Sequence, residues 1–426
     1  MSGRLLKLLY ATADGALYED LELGAAGWDG ARVVPLDAAR AVPLPEGADL
    51  MLLPGRAAVA WDPASGRPLR DVAARRGAGE PLLAVAATLP QGYTRTLLPA
   101  YRAEAGAPRL PLFGYTAVGV AGDGQIYAAA LVTDRAYRWN PALYNDRTLP
   151  RRIKALRKRF PENRLVEHLS RCALEYRCLT AQNLFYGRWE AGLPIAPACN
   201  AACLGCLSQQ TEGGCPSPQE RIAFTPTVEE IAELGAMHLA EGIEPIVSFG
   251  QGCEGEPLTQ SRLLAEAVAA VRARTDRGSV NLNTNGLATA ALRAVAAAGL
   301  DSVRVSLISV RDETYRAYHR PPGFALEDVR RSLAAAKEHG VYVSLNLLVM
   351  PGLTDREEEA AALKALLDEG TVDMVQLRNL NVDPAFLFSA LPGRQGELLG
   401  IPALVDRLRA RPGLAVGNYT HAPQAR

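Results

Sequence analysis

From residue 193 onward the chain alternates short apolar runs with amphipathic ones, and that rhythm restricts the fold more than any other feature. The strand candidates are "LPIAP", "PIVSFG", "SVNLNTNG", "SVRVSLIS", "YVSLNLLVMPG" and "VDMVQLRNLNVD". Between them lie "TVEEIAELGAMHLAEG", "SRLLAEAVAAVRART", "TAALRAVAAAG", "LEDVRRSLAAAKEHG" and "DREEEAAALKALLDEG", which carry helical apolar stripes and often end at glycine, as at Gly242, Gly299, Gly340 and Gly370. Strands separated by helices cannot pair as hairpins, so the sheet they form is parallel. The expected class is α/β, a partial (β/α)6 TIM-like barrel over residues 193–385, with function at the carboxyl ends of its strands.

The 426 residues are too many for one ordinary core, which leaves room for flanking units. Residues 1–150 predict a β-rich domain with hairpins turning at Asp14-Gly15 and Asp123-Gly124. Its loop aromatics and cations, among them Tyr93, Arg95, Tyr115 and Trp139, are candidates to close over a substrate. Residues 151–192 read as a basic helical bridge broken at Pro161, and residues 386–426 as a C-terminal helical extension. Forty-six basic residues balance 46 acidic ones, so no bulk field points to nucleic acid or membrane. The basic run at Arg151, Arg152, Lys154 and Lys158 lacks interleaved aromatics and reads as a solvated helix face; RNA contact is the alternative. No signal peptide and no apolar run of about 20 residues is visible, which predicts a cytoplasmic protein without membrane partners.

Within this framework "PACNAACLGCLS" sets Cys199, Cys203 and Cys206 on a loop after the first strand candidate, spaced C-x3-C-x2-C. Seven cysteines in a long chain of a reducing compartment favour metal over disulfides. Three thiolates leave one coordination position on a metal open, where four would close it. From spacing alone, a zinc site with a distant fourth ligand, a cluster closed by Cys215, and plain buried cysteines all stay open. The other strand ends add polar groups: Gly255 and Glu256 in "SFGQGCEGEPL", Asn283 in "NLNTNG", Ser306 in "RVSLIS" and Asn346 in "NLLVMPG".

This ordered set, over residues 193–385, resembles the radical S-adenosylmethionine (SAM) superfamily, whose signature is the same cysteine spacing after the first barrel strand. The resemblance implies that Cys199, Cys203 and Cys206 bind a [4Fe-4S] cluster and that SAM chelates its unique iron. One electron, from a donor such as flavodoxin or ferredoxin, then releases a 5′-deoxyadenosyl radical that abstracts hydrogen from a small molecule, cofactor precursor or peptide. It further implies that Glu256 meets the SAM ammonium, with Glu254 able to share the role, and that Asn283 and Ser306 reach the ribose or methionine part. Asn346 and Val349 would line the adenine shelf, and an exposed cluster would be oxygen-sensitive. An RNA-modifying enzyme and a non-catalytic iron-sulfur or zinc protein are the alternatives. Cys172, Cys178, Cys215 and Cys253 remain, and four is the number a second cluster needs, although Cys172 and Cys178 fall on different helix faces. Cys253, beside Glu254, is expected at the rim, as a candidate catalytic thiol or a ligand to a substrate metal, with packing as a small hydrophobe the alternative, and His319 at the surface or near substrate.

Overall fold

The computed structural model describes residues 4–110, 112–209, 217–393 and 396–422. In the N-terminal part, β1 (Lys7–Ala11) and β2 (Leu17–Gly24) form a hairpin. With β3 (Leu50–Ala58), β4 (Leu83–Ala87), β5 (Thr116–Val120) and β6 (Ile126–Ala128), they belong to an antiparallel sheet. The turns at Gly15 and Gly124 have positive φ, which suits glycine. Three helices follow: α1 (Leu149–Arg159), α2 (Arg164–Leu174) and α3 (Leu179–Tyr186). In the basic run, Arg157 and Arg159 pair with Glu167 and Glu241.

The second sheet is parallel and runs in chain order through β7 (Arg188–Gly192), β8 (Ile243–Phe249), β9 (Ser279–Thr284), β10 (Ser302–Leu307), β11 (Tyr342–Val349), β12 (Met374–Asn379) and β13 (Ala415–Gly417). Two expectations are corrected here. The first barrel strand is not "LPIAP" but "RWEAG", so the barrel begins inside the stretch read as helical bridge. Pro194 and Pro197 offer no N–H to a ladder, and the N–H groups of Ile195 and Ala196 go to the Glu254 carboxylate instead. The C-terminal segment is not only helical: after α10 (Pro384–Ala390) and α11 (Ile401–Arg409) it adds β13 as a seventh strand, three residues too short to announce itself.

The crossovers are α4 (Val228–Glu241), α5 (Ser261–Arg272), α6 (Thr289–Ala297), α7 (Asp312–His319) with α8 (Leu326–Glu338), and α9 (Glu357–Asp368). Because side chains alternate along a strand, Val303, Val305, Val343, Leu345, Val375 and Leu377 pack outward into one apolar core with these helices. The alternate residues, Asn281, Asn283, Arg304, Ser306, Asn346, Gln376 and Arg378, turn into the concave side. The sheet curls into an open half-barrel: Thr420, just past β13, donates to Glu190 on β7 (2.8 Å).

The β-rich part docks on this half-barrel through a shared apolar cluster in which Leu53, Leu98 and Phe113 meet Ile308, Met350 and Leu380. Gly30 and Gly352 approach so closely that a Cβ on Gly30 would lie 2.3 Å from the Gly352 Cα. Arg95, fully buried, donates to the Phe113, Tyr115 and Leu380 carbonyls at 3.1, 3.3 and 2.6 Å, and its backbone N–H to Asn379.

Candidate functional site

A cavity of about 320 Å³ opens at the carboxyl ends of the parallel strands. The cysteine loop forms one wall and is held from two sides. The N–H groups of Ala202 and Leu204 donate to the His319 and Tyr318 carbonyls at the end of α7. Those of Gly255 and Glu256 donate to Ala196 and Ala198 (2.7 and 2.9 Å). A Cβ on Gly255 would stand 2.0 Å from the Ala198 carbonyl oxygen, so the loop after β8 can lie against the cysteine loop only with glycine there.

Cys199, Cys203, Cys206, Gly255, Glu256, Asn283, Ser306 and Asn346 all line this cavity. Burial pushes the Cys203 thiol well above its ordinary range, and charge on Cys206 and Cys199 would push it further. Burial raises the Cys199 thiol as well, and three thiols that converge on one space suit a polycationic centre, which reverses that balance by binding thiolates. The Cys203 Sγ lies 3.3 Å from Nδ1 of His319, and Arg221 reaches the Cys206 Sγ at 3.5 Å. His319 is therefore neither at the surface nor free: it is buried, and burial lowers its pKa to about 3, leaving a neutral ring beside the cysteine.

The two glutamates of "CEGEP" divide their work. Glu254 accepts from the backbone N–H groups of Ile195 (2.8 Å), Ala196 (3.1 Å), Gly250 and Gln251, so both its oxygens are spent clamping loops. Burial raises its carboxyl to about 7 against the pull of those donors. Glu256 accepts from the Thr284 hydroxyl (2.6 Å) and from the N–H groups of Asn285 (2.8 Å) and Leu258 (3.1 Å), and burial raises its carboxyl too. A buried carboxylate on the cavity wall gains most from an added cation.

Asn283 donates to the Phe249 carbonyl (2.7 Å) and accepts from Arg304 (2.6 Å). Asn346 donates to Ser306 (3.0 Å), while its buried Oδ1 has no hydrogen-bond partner among the described residues. That orphaned acceptor is an opening for a ligand donor. Val349, by contrast, points into the helix-packed core.

Cys253 corrects the expectation of a catalytic thiol at the rim. Strand alternation and the tight turn through Gly250 and Gly252 carry it behind the sheet, where it is buried against Cys172 rather than lining the cavity. Cys178 is half-buried beside Thr180, and Cys215 lies outside the described residues. Among the N-terminal candidates only Trp139 lines the cavity, joined by Gln91; Tyr93, Arg95 and Tyr115 serve the domain contact.

Sequence reasoning missed the polar floor. Arg304 is held by Asn283, Gln376 (2.8 Å), Thr420 (2.6 Å) and Glu190 (3.4 Å). Arg378 donates to Gln91 and to the Asn418 carbonyl, both at 3.0 Å, and burial lowers its pKa to about 10. The available signal was an arginine inside each of two strand runs, "VRVSL" and "VQLRN".

A family model for the radical SAM superfamily matches residues 193–363. GTP 3′,8-cyclases are among the relatives. The protein of that name from Heliobacterium modesticaldum is 33% identical over 165 residues, 38% of this chain and 47% of that protein. The one from Streptomyces coelicolor is 33% identical over 176 residues, 40% and 48%. A third, from Mycobacterium sp. (strain KMS), is 34% identical over 229 residues, 53% and 60%. The chain thus spans about half the length of the curated relatives it matches. Among solved structures, Streptococcus suis SuiB bound to S-adenosylmethionine aligns over 63% of each chain at 14% identity with a TM-score of 0.38, a likeness too distant to bear on function. The segment that carries the three cavity cysteines and the strand-end residues around them is thus a radical SAM domain, of the superfamily of iron-sulfur enzymes whose cofactors are a [4Fe-4S] cluster and S-adenosylmethionine.

Proposed function

We propose that this protein cleaves SAM reductively and abstracts hydrogen from a small anionic substrate bound in the cavity between the half-barrel and the β-rich domain. The observation that carries the reading is the convergence of Cys199, Cys203, Cys206, Glu256, Asn283, Ser306 and Asn346 on one cavity wall. When bound, the cluster and SAM supply a 5′-deoxyadenosyl radical formed by one-electron cleavage of a carbon-sulfur bond. The chain's own residues bind and orient. Cys199, Cys203 and Cys206 hold the iron, and Glu256 offers its buried carboxylate to the SAM ammonium. The unpartnered Asn346 Oδ1 accepts from the nucleoside end, and Gly255 keeps the two loops in contact. Trp139 and Gln91 from the β-rich domain exclude water from above, and a one-electron donor such as flavodoxin or ferredoxin supplies the electron.

The anionic character of the substrate rests on Arg304 and Arg378, two half-buried guanidiniums on the cavity wall with one carboxylate, Glu190, within salt-bridge reach of Arg304. GTP, named in the relatives' activity, is the first substrate to test. The test is anaerobic: reconstitute wild type, Cys203→Ala and Arg378→Met, reduce with dithionite, and measure 5′-deoxyadenosine from SAM with and without GTP. The expected result is deoxyadenosine from wild type, none from Cys203→Ala, and undiminished SAM binding with a lost substrate response in Arg378→Met. A fully loaded, reducible cluster that never cleaves SAM, with or without candidate substrates, would overturn the radical reading.

A further inference from the structure

Behind the sheet, away from the cavity, three side chains converge that the proposed chemistry does not use. His168 and Cys172 stand four residues apart on α2, hence on one helix face, with Nε2 and Sγ 3.6 Å apart. Cys253 reaches the same point from the loop after β8. All three ligand atoms lie within 4.8 Å of one another. Cys172 and Cys253 are fully or almost fully buried, while His168 is half-buried.

We propose that His168, Cys172 and Cys253 bind a single zinc ion that fastens the loop carrying Gly255 and Glu256 to the helical bridge. Zinc holds sulfur at about 2.3 Å and imidazole nitrogen at about 2.0 Å, and tetrahedral angles then place those two atoms about 3.5 Å apart. The 3.6 Å between His168 and Cys172 already meets that spacing without rearrangement. A mixed nitrogen and sulfur set closing on one point suits a mononuclear borderline-soft ion. A four-iron cluster occupies far more space between its ligands and would have to spread them apart. Three protein ligands leave one tetrahedral position, and His168, at the half-buried edge, gives water access to it.

The placement explains what the ion would do. Cys253 directly precedes Glu254, and its carbonyl accepts from the Ile222 N–H (2.8 Å). Glu254 clamps the first-strand loop, and Glu256 lies two residues further on the cavity wall. A metal on Cys253 therefore ties the strand-end loop of the SAM site to α2, a helix outside the barrel, and closes a chain loop of some 80 residues between Cys172 and Cys253. Two of the four cysteines outside the triplet thereby acquire a role that does not involve a second iron-sulfur cluster.

The test is metal analysis of the full-length chain purified anaerobically with chelator washes and then reconstituted with iron and sulfide. Wild type should hold about one zinc per chain beside its cluster iron. Cys172→Ser and Cys253→Ser should each lose the zinc and keep the iron, whereas Cys203→Ala should lose the iron and keep the zinc. Cobalt(II) put in place of zinc should show a thiolate-to-metal charge-transfer band that Cys172→Ser abolishes. If a buried-cysteine variant fails to fold, His168→Gln, altered at the half-buried edge, should still fold and bind zinc at least tenfold more weakly. Absence of zinc from wild type, zinc retained in both cysteine variants, iron lost in place of zinc, or a Cys172–Cys253 disulfide found by mass spectrometry in protein never exposed to oxidant would each overturn the proposal.

Discussion

Gly255 shows how much one hydrogen atom in place of a methyl group decides. Its N–H donates to Ala196, and a Cβ there would overlap the Ala198 carbonyl, which is backbone and cannot swing aside. Gly255→Ala should therefore push the cysteine loop away from the loop after β8, at a cost of about 1–3 kcal/mol. Because that displacement moves Cys199, iron incorporation should fall more steeply than stability. Iron per chain compared with the thermal midpoint checks this, and full iron in Gly255→Ala would show that the contact is not needed to hold the three thiols. At this scale the sequence was informative where a residue type is chemically singular. Cysteines at C-x3-C-x2-C and a glutamate after glycine at a strand end are few enough to single out. Arg304 and Arg378 were not, since a parallel sheet buries both faces and nothing local says which face meets helices and which lines a cavity.

Among elements, α4 and β7 share a buried titratable contact. His238 on α4 is fully buried, donates through Nε2 to the Trp189 carbonyl on β7 (2.8 Å), and leaves Nδ1 without a partner among the described residues. Burial lowers its pKa to about 4, so it folds as a neutral ring. The unfolded chain, with an ordinary pKa near 6.5, takes up that proton first, so stability is full above about pH 6.5 and declines as pH falls toward 4. From this residue alone the decline is about 3 kcal/mol. His238→Gln, which can keep a donor toward Trp189, should show a flatter midpoint between pH 7 and pH 4.5; an unchanged slope would assign the acid sensitivity elsewhere. Element identity was largely legible here, because helix stripes and strand runs differ in period. Boundaries were less so. The real first strand, "RWEAG", contains Arg188 and Glu190 and lacks an apolar run, while "LPIAP" looked better and is kept out of the ladder by its prolines.

At the scale of the molecule, the β-rich part and the half-barrel share one apolar cluster and are stitched by Arg95. Among the described residues Arg95 meets no carboxylate; three carbonyls from both sides of the contact receive its guanidinium, and burial lowers its pKa only to about 9, so it stays charged at neutral pH. Arg95→Met fills much of the volume but leaves those carbonyls unpaired, and should cost about 3 kcal/mol or more in urea unfolding. Since the cluster spans both parts, wild type should unfold them together, with tryptophan fluorescence and far-UV dichroism tracing one transition. Two separated transitions in wild type would mean that the contact does not couple them.

The sequence by itself determined the parallel α/β half-barrel and the place of the cysteine loop on its rim, because strand and helix periods and the C-x3-C-x2-C spacing are local and repeat or stand alone in any context. Only the tertiary structure decided that β13 closes the sheet as a seventh strand, that Glu254 clamps loops while Glu256 stays on the cavity wall, and that Cys253 turns away from the cavity to meet His168 and Cys172. Those outcomes depend on which distant groups face one another after the sheet curls, and no window along the chain contains both partners.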